Sequence, residues 1–273
     1  MSPASAVEAW GRALEEWALP EEILASVSES PWAYPTDLFR SRTKEAMAGS
    51  PSPSARRALE ALPEQGSVLD VGSGAGAASL ALLPRAGRIV AVDPSEDMLK
   101  AFVGFAAEAE VAVETVLGAW PDVAPTVRPA DVVVCHHVLY NVADLAPFVR
   151  ALDERARYRV VIEIPTEHPR AWMNDLWKRF HDLDRPDRPT ADDAEAVLIE
   201  LGIPVKRQDW IAPHGRGTSR GEAVALARTR LALPPERDED VAEALGDRLF
   251  EREGEWFAGP PDLPLVTLWW DSQ

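Results

Sequence analysis

The segment Val68-Leu-Asp-Val-Gly-Ser-Gly-Ala-Gly76 decides how the rest of the chain is interpreted. Apolar residues around Asp70 are typical of the end of a buried strand, and the glycines that follow predict a tight turn. Residues 77–83 are predicted to continue as a helix. Glycines let a ligand approach the backbone closely, and the N–H groups of a first helical turn would point at it. This order of strand, turn and helix predicts a nucleotide-bearing cofactor.

The glycine spacing distinguishes between two kinds of cofactor. The dinucleotide pattern G-x-G-x-x-G would place its third glycine at position 77, which is alanine, whereas here the third glycine is Gly76. A second acid, Asp93, ends the next predicted strand, residues 88–93. Together with the preceding Val-Leu-Asp-Val, this pattern resembles motif I of the class I S-adenosylmethionine (SAM) dependent methyltransferases. A nicotinamide-dependent oxidoreductase on a similar sheet is the rival that the spacing opposes, and a glycine turn without a ligand is the plainer alternative.

The resemblance implies a set of residues around SAM and its product S-adenosylhomocysteine. Asp93 would bind the two ribose hydroxyls, because one carboxylate can accept both O–H groups. Met98 would lie against the adenine, although packing of its helix explains an apolar residue there equally well. His136 is a candidate for holding the methionine end. The complete predicted cofactor set is Asp70, Gly72, Ser73, Gly74, Gly76, Asp93, Pro94, Met98, Ala119, Trp120 and His136.

One position of this set departs from the family pattern. After the glycine that ends the third predicted strand, relatives often carry an acid or amide that accepts from the adenine amino group, but this chain has Ala119. The contact would then come from the backbone or from another residue. Trp120 either stacks on the purine or fills the edge of the sheet. Stacking on the purine and filling of the sheet edge are both expected roles for Trp120.

Composition limits the classes of partner. The 273 residues carry a formal net charge of −17, which disfavours a nucleic-acid substrate and favours a small acceptor molecule. The single cysteine, Cys135, excludes an internal disulfide and a metal site built from several thiolates, and it fits a reducing cytoplasm. No metal ligand set is predicted. Neither a signal peptide nor an apolar run long enough for a membrane helix is visible.

Strand and helix patterns alternate from Gly66 onward, which predicts an α/β protein. The expected fold is a Rossmann-like, seven-stranded, mostly parallel sheet with helices on both faces, whose last strand the resemblance makes antiparallel. Residues 1–62 are predicted to form an N-terminal helical cap, and residues 63–273 the methyltransferase core. Lid segments are expected at about 166–190 and 215–258, the second containing two helices, 220–233 and 238–253, inserted before the last strand. In the cap, Trp32, Tyr34 and Phe39 either pack in the core or close over the site.

The fourth predicted strand, residues 131–134, ends beside a pair of histidines. Ligands in open α/β sheets lie at the carboxyl ends of strands, near the point where the strand order reverses. His137 is therefore the first candidate for a general base that takes a proton from the acceptor, and Tyr140 the second. Two polar residues satisfied at a strand end are the plain alternative. A base is not obligatory, because positioning alone can supply roughly 7–11 kcal/mol.

The sequence thus predicts a SAM-dependent transfer of a methyl group to an O or N atom of a small molecule. A SAM-binding regulatory or partner subunit without catalysis is one alternative, and Ala119 is a mild sign of it. A methyltransferase acting on a protein is another. The sequence does not fix the oligomeric state, since Trp269 and Trp270 fit either an interface or the core.

Overall fold

The computed structural model describes residues 5–25, 27, 31 and 36–272. Nine strands follow one another along this part of the chain: β1 Gly66–Val71, β2 Ala86–Asp93, β3 Ala112–Leu117, β4 Ala130–His136, β5 Ala156–Pro165, β6 Lys206–Ala212, β7 Leu249–Arg252, β8 Glu255–Ala258 and β9 Leu263–Asp271. The helices are α1 Ala6–Glu15, α2 Glu21–Ala25, α3 Thr36–Ala48, α4 Pro53–Ala61, α5 Ala77–Leu80, α6 Glu96–Glu108, α7 Leu145–Arg155, α8 Asn174–His181, α9 Ala191–Glu200, α10 Arg220–Arg230 and α11 Asp238–Leu245.

Seven of the strands form one sheet in the order β3-β2-β1-β4-β5-β9-β6. Neighbours are parallel except at β9, which runs antiparallel to both β5 and β6. The predicted Rossmann-like sheet with an antiparallel last strand is confirmed. The strand order reverses between β1 and β4, so the carboxyl ends of these two strands lie side by side at the edge where a ligand is expected.

The two faces of the sheet are covered by separate apolar cores. In β1, Leu69 and Val71 face a core that includes residues of α1, α7 and α9, while Val68 faces a core built with α4, α5 and α6. The alternation follows from the two-residue period of a strand. Asp70 shares the face of Val68, so a carboxylate enters an otherwise apolar layer. Trp269 and Trp270 are both buried in these cores.

The N-terminal cap is joined to the core by tryptophans. Trp10 donates its indole N–H to the carbonyl of Val142 at 2.8 Å. Trp17 donates to the carbonyl of Arg188 at 2.6 Å, and its ring stacks on His168 with 3.6 Å between centroids. Helix α1 is thereby fixed to the segment after β4 and to the predicted lid. Trp32 and Tyr34, which were predicted to pack or to close over the site, lie outside the described residues.

Two helix predictions were too long. The helix after the glycine turn ends at Leu80 because Pro84 follows, and the residue before a proline is disfavoured in the helical conformation. The predicted helix 238–253 ends at Leu245, and β7 and β8 form an antiparallel hairpin instead. Gly246 and the turn residues Glu253 and Gly254 have φ values of +54°, +56° and +84°, which a helix does not accommodate. Within the described ranges, no helix is both long and apolar enough to cross a membrane.

Candidate functional site

The glycine turn after β1 has a backbone that only glycine accommodates easily. Gly72, Gly74 and Gly76 have φ values of +70°, +51° and +97°. A Cβ atom on Gly72 would lie 2.4 Å from Cγ2 of Val138, and one on Gly76 would lie 2.8 Å from the ring of Phe102. The first of these contacts also shows that the segment after β4 packs directly on the turn. The two strand ends therefore form one site.

Asp93, at the end of β2, connects the turn to the next helix. Its Oδ2 accepts from the N–H of Gly74 and its Oδ1 from the N–H of Ser95, both at 2.8 Å. Ser95 caps α6, and its side chain accepts from the N–H of Met98. A carboxylate oxygen can accept more than one hydrogen bond, so both oxygens of Asp93 keep capacity for further donors. This arrangement fits a pair of neighbouring hydroxyl groups.

Asp70 lies beneath the turn and is 1% exposed. Its Oδ2 accepts from the hydroxyl of Ser79 at 2.5 Å and from the N–H of Ser79 at 3.3 Å. Oδ1 has no hydrogen-bond partner in the described part of the chain. Burial raises the pKa of Asp70 to about 7, although the bonds from Ser79 favour its ionised form. The structure therefore gives Asp70 the role of supporting the turn from below.

Two further polar atoms near the turn are buried and lack a partner among residues 5–25, 27, 31 and 36–272. They are the hydroxyl of Ser73 and Nε2 of His136. Burial lowers the pKa of His136 and favours its neutral form, although the nearby Glu163 acts in the opposite direction. Buried polar groups are almost always hydrogen-bonded in folded proteins, so these two atoms fit a polar ligand that supplies the missing bonds. Together with the glycine turn and Asp93, they fit the SAM that the sequence resemblance implies.

The predicted adenine contacts are only partly brought together. Met98 is half-buried, and Leu99 beside it is buried in the core. Pro94 and Ala119 are exposed, near the ends of β2 and β3. Trp120 is 9% exposed, and its indole N–H donates to the carbonyl of Phe148 at 3.2 Å. Of the two interpretations of Trp120, the structure favours core packing over stacking on a purine.

The histidine pair after β4 meets a carboxylate that was not among the predicted site residues. Nε2 of His137 lies 3.0 Å from Oε1 of Glu163, and Nδ1 of His136 lies 3.9 Å from the same oxygen. Burial alone would raise the pKa of Glu163. The neighbouring histidines and hydrogen bonds from His137 and Ser54 outweigh it and lower this pKa to about 2. A buried, ionised glutamate therefore lies directly against an imidazole at the switch point of the sheet.

Tyr140, the second candidate base, is engaged elsewhere. Its hydroxyl donates to the carbonyl of Pro165 at 2.9 Å. The ring stacks on Trp10 and meets His168 edge-on, with centroid distances of 5.7 and 5.2 Å. Burial raises the pKa of Tyr140 well above its ordinary value. These contacts favour a packing role for Tyr140 and leave His137 as the stronger candidate.

Helix α3 of the cap lies over the glycine turn. A Cβ atom on Gly74 would lie 3.8 Å from Cδ1 of Phe39, and Phe39 also packs against the core built with α4, α5 and α6, so its position fits both expectations. One turn and a half further on, Oε1 of Glu45 accepts from the N–H of Arg216 at 2.9 Å. The inserted segment before β9 thus holds the cap helix at its other end.

Comparison with known proteins finds a family match in the central part of the chain. Residues 68–158 match the family described as "Methyltransferase domain". No curated protein matches the chain.

Among solved structures, the chain is similar to the YcgJ protein from Bacillus subtilis, with 18% identity, a TM-score of 0.55 and coverage of 81% of this chain and 98% of that one. It is also similar to a structure described under the conversion of a disulfide bond into a thioacetal group during echinomycin biosynthesis. That match has 16% identity, a TM-score of 0.51 and coverage of 88% and 93%. Both similarities concern the fold.

Proposed function

Because residues 68–158 form a methyltransferase domain and the chain has the fold of the class I SAM-dependent enzymes, we propose that it transfers a methyl group from SAM to an O or N atom of a small molecule. His137 acts as the general base in this proposal. The observation that carries it is the short contact between His137 and the buried Glu163, at the strand end that packs on the glycine turn. An imidazole beside a carboxylate is suited to accepting a proton near neutral pH.

The residues that hold the cofactor follow from the polar groups at the turn. The glycines accept close approach of the ligand, and both oxygens of Asp93 accept from the ribose hydroxyls. The Ser73 hydroxyl and His136 Nε2, which have no other partner in the part of the chain that the structure describes, bind the polar groups of the methionine end. When bound, SAM supplies a methyl group already activated on a sulfonium and leaves as S-adenosylhomocysteine.

The remaining groups orient the acceptor and move its proton. His137 has a side chain that is 40% exposed, so its ring reaches the open side of the site. It accepts the proton that the acceptor atom loses as its bond to the methyl carbon forms. Phe39, above the turn, restricts the access of water. The cap and the formal net charge of −17 support a small acceptor over a nucleic acid.

Calorimetric titration with SAM, S-adenosylhomocysteine and NADH tests the cofactor. Binding of the first two without the third is expected, and binding of NADH alone would contradict the proposal. Transfer of a labelled methyl group from SAM to a panel of small phenols, alcohols, amines and carboxylic acids then tests the reaction. Cofactor binding with no transfer to small molecules or to protein would favour the non-catalytic subunit, for which the exposed Ala119 is the one sign.

Replacement of Asp93 by alanine is expected to weaken SAM binding about 10²- to 10⁴-fold, because two hydrogen bonds to the ribose hydroxyls are lost. Each hydrogen bond to a charged group contributes about 1.5–3 kcal/mol, and the substitution also releases the N–H groups of Gly74 and Ser95 from the turn. The dissociation constant can be measured by calorimetry. Asp97→Ala, on the exposed first turn of α6, is the matched control. Equal affinity of the Asp93 variant and the unchanged chain would remove Asp93 from the site.

A further inference from the structure

We propose that Glu163 is the positioning residue that holds His137 with its ring proton on Nε2, which leaves Nδ1 to take the proton of the acceptor. The acceptor class that follows is a hydroxyl or an amine, because such a nucleophile has a proton to lose. This inference rests on the proposed function and adds to it the orientation of the base and the chemistry of the acceptor.

The position of the His137 ring is fixed at two points by the same residue. The backbone N–H of His137 donates to the carbonyl of Glu163 at 2.8 Å, at the ends of the paired strands β4 and β5. The side chain returns to Glu163 through the 3.0 Å contact between Nε2 and Oε1. His137 has a φ of +59°, a conformation that few residues other than glycine adopt. This backbone turns the histidine out of the strand so that its ring can lie against Glu163.

The ring contact defines which nitrogen is basic. A carboxylate can only accept, so the nitrogen that faces it carries the proton. In a neutral ring the other nitrogen then has a free lone pair. Nδ1 of His137 has no hydrogen-bond partner within the described ranges. It is therefore available to an acceptor on the open side of the site.

A chain of hydrogen bonds that begins on the edge strand β6 leads to the surroundings of Glu163. The indole N–H of Trp210 donates to Oγ1 of Thr267 at 3.1 Å, and Thr267 and Ser54 share a 2.7 Å hydrogen bond between their hydroxyls. Thr267 lies opposite Glu163 in the register of β5 and β9, and Ser54 lowers the pKa of Glu163 and so favours its ionised form. Thr267 and Ser54 are fully buried, and Glu163 is 7% exposed. If Thr267 donates to Ser54, the hydroxyl of Ser54 is left to donate toward the carboxylate.

The charge of this arrangement selects the acceptor. Glu163 places a negative charge next to the base, 3.0 Å from Nε2 of His137. An acceptor carboxylate is already ionised, needs no base and would be repelled at this point. Methylation of a phenol, an alcohol or an amine is favoured in two ways. His137 accepts the proton of the acceptor, and the negative charge of Glu163 stabilises the imidazolium that forms.

Nuclear magnetic resonance of the imidazole nitrogens tests the orientation without any acceptor. The chain has five histidines, so the ring of His137 can be assigned from the signals lost in His137→Gln. We expect a protonated Nε2 and an unprotonated Nδ1 in the unchanged chain. In Glu163→Gln the fraction protonated at Nε2 falls, whereas the exposed Glu167→Gln leaves it unaltered. A proton on Nδ1 in the unchanged chain would overturn the proposal whether or not the variant folds.

Turnover with acceptors from the labelled panel tests the consequence. Glu163→Gln is expected to lower kcat at least about 10-fold with no change in the KM for SAM, and the loss should not add to that of His137→Ala. Methylation confined to carboxylic acids would contradict the inferred acceptor class. If His137→Ala keeps full turnover while the ring has the expected tautomer, the base assignment fails and the positioning by Glu163 stands. The two failures are therefore distinguishable.

Discussion

A chain with alanine in place of His137 is expected to methylate its acceptor about 10²- to 10⁴-fold more slowly than the unchanged chain, which is the range lost when a general base is removed. Its affinity for SAM should stay the same, because the polar atoms assigned to the cofactor belong to Ser73, Asp93 and His136. The loss should therefore appear in kcat. Removing the imidazole also leaves the Glu163 carboxylate with one donor fewer, which can lower stability. The thermal unfolding of the variant and of the unchanged chain must therefore be compared as well.

Single-turnover rates of methyl transfer, measured with saturating SAM, give this effect directly. His214→Ala is the matched control, since His214 bonds to the carbonyl of Pro261 beside the β7–β8 hairpin. Tyr140→Phe separates the two original candidates: it removes a hydroxyl that donates to Pro165 and should leave turnover within a few-fold of the unchanged chain. Full activity of the His137 variant, together with a large loss in the Tyr140 variant, would reverse the assignment.

The stability of the chain is expected to fall between pH 5 and pH 8 because of Asp70. This carboxyl has its pKa raised from 3.8 to about 7 in the folded chain. Between these values the folded state keeps a proton that the unfolded state has lost, so the free energy of unfolding decreases as the pH rises. The contribution is complete below the unfolded pKa and is lost as the pH passes through the folded one. From pH 5 to 8 the loss is about 2–3 kcal/mol, at about 1.4 kcal/mol per pH unit.

Urea unfolding of the unchanged chain and of Asp70→Asn, at pH 5 and at pH 8, isolates this contribution. The asparagine keeps the size of the side chain and cannot ionise, so the stability difference between the two chains should move by about 2–3 kcal/mol in favour of the variant as the pH rises. Other titrating groups, such as His168 with a pKa lowered to about 3 by burial and neighbouring arginines, are common to both chains and cancel. A stability difference that does not change with pH would mean that Asp70 is ionised in the folded chain throughout.

Local sequence patterns were sufficient to predict most of the fold. The glycine spacing, Asp93 at a strand end and the alternation of strands and helices predicted the seven-stranded sheet and the ligand edge, because these features are encoded by neighbouring residues. The hairpin in the insertion was missed because the charged residues 249–258 have no clear period. Two glycines, Gly246 and Gly254, were the available signal that a helix would not continue to residue 253.

The sequence predicted that the histidine pair lies at the site, but it did not predict the partner of the pair, Glu163. Glu163 and His137 are distant in the chain and meet only because β4 and β5 pair in one register. The available signal was an acid inside the apolar run of β5, which is costly unless something satisfies it. The links from Ser54 and Thr267 could not be predicted, since they depend on how α4 and β9 pack on the sheet. Trp120 is the opposite case, because an aromatic residue that was a candidate for stacking on the purine is part of the core.

The position of β9 between β5 and β6 sets an order of events during synthesis. β6 pairs with no other strand of the sheet, so it has no partner when it leaves the ribosome. It can pair only after the fifty residues between β6 and β9, which include α10, α11 and the hairpin, have been synthesised. The half of the sheet from β3 to β5 can form earlier, and with it the glycine turn. Thr267, which lies opposite Glu163, and its hydrogen bond to Ser54 are added only when β9 arrives, so the surroundings of the buried acid are completed late.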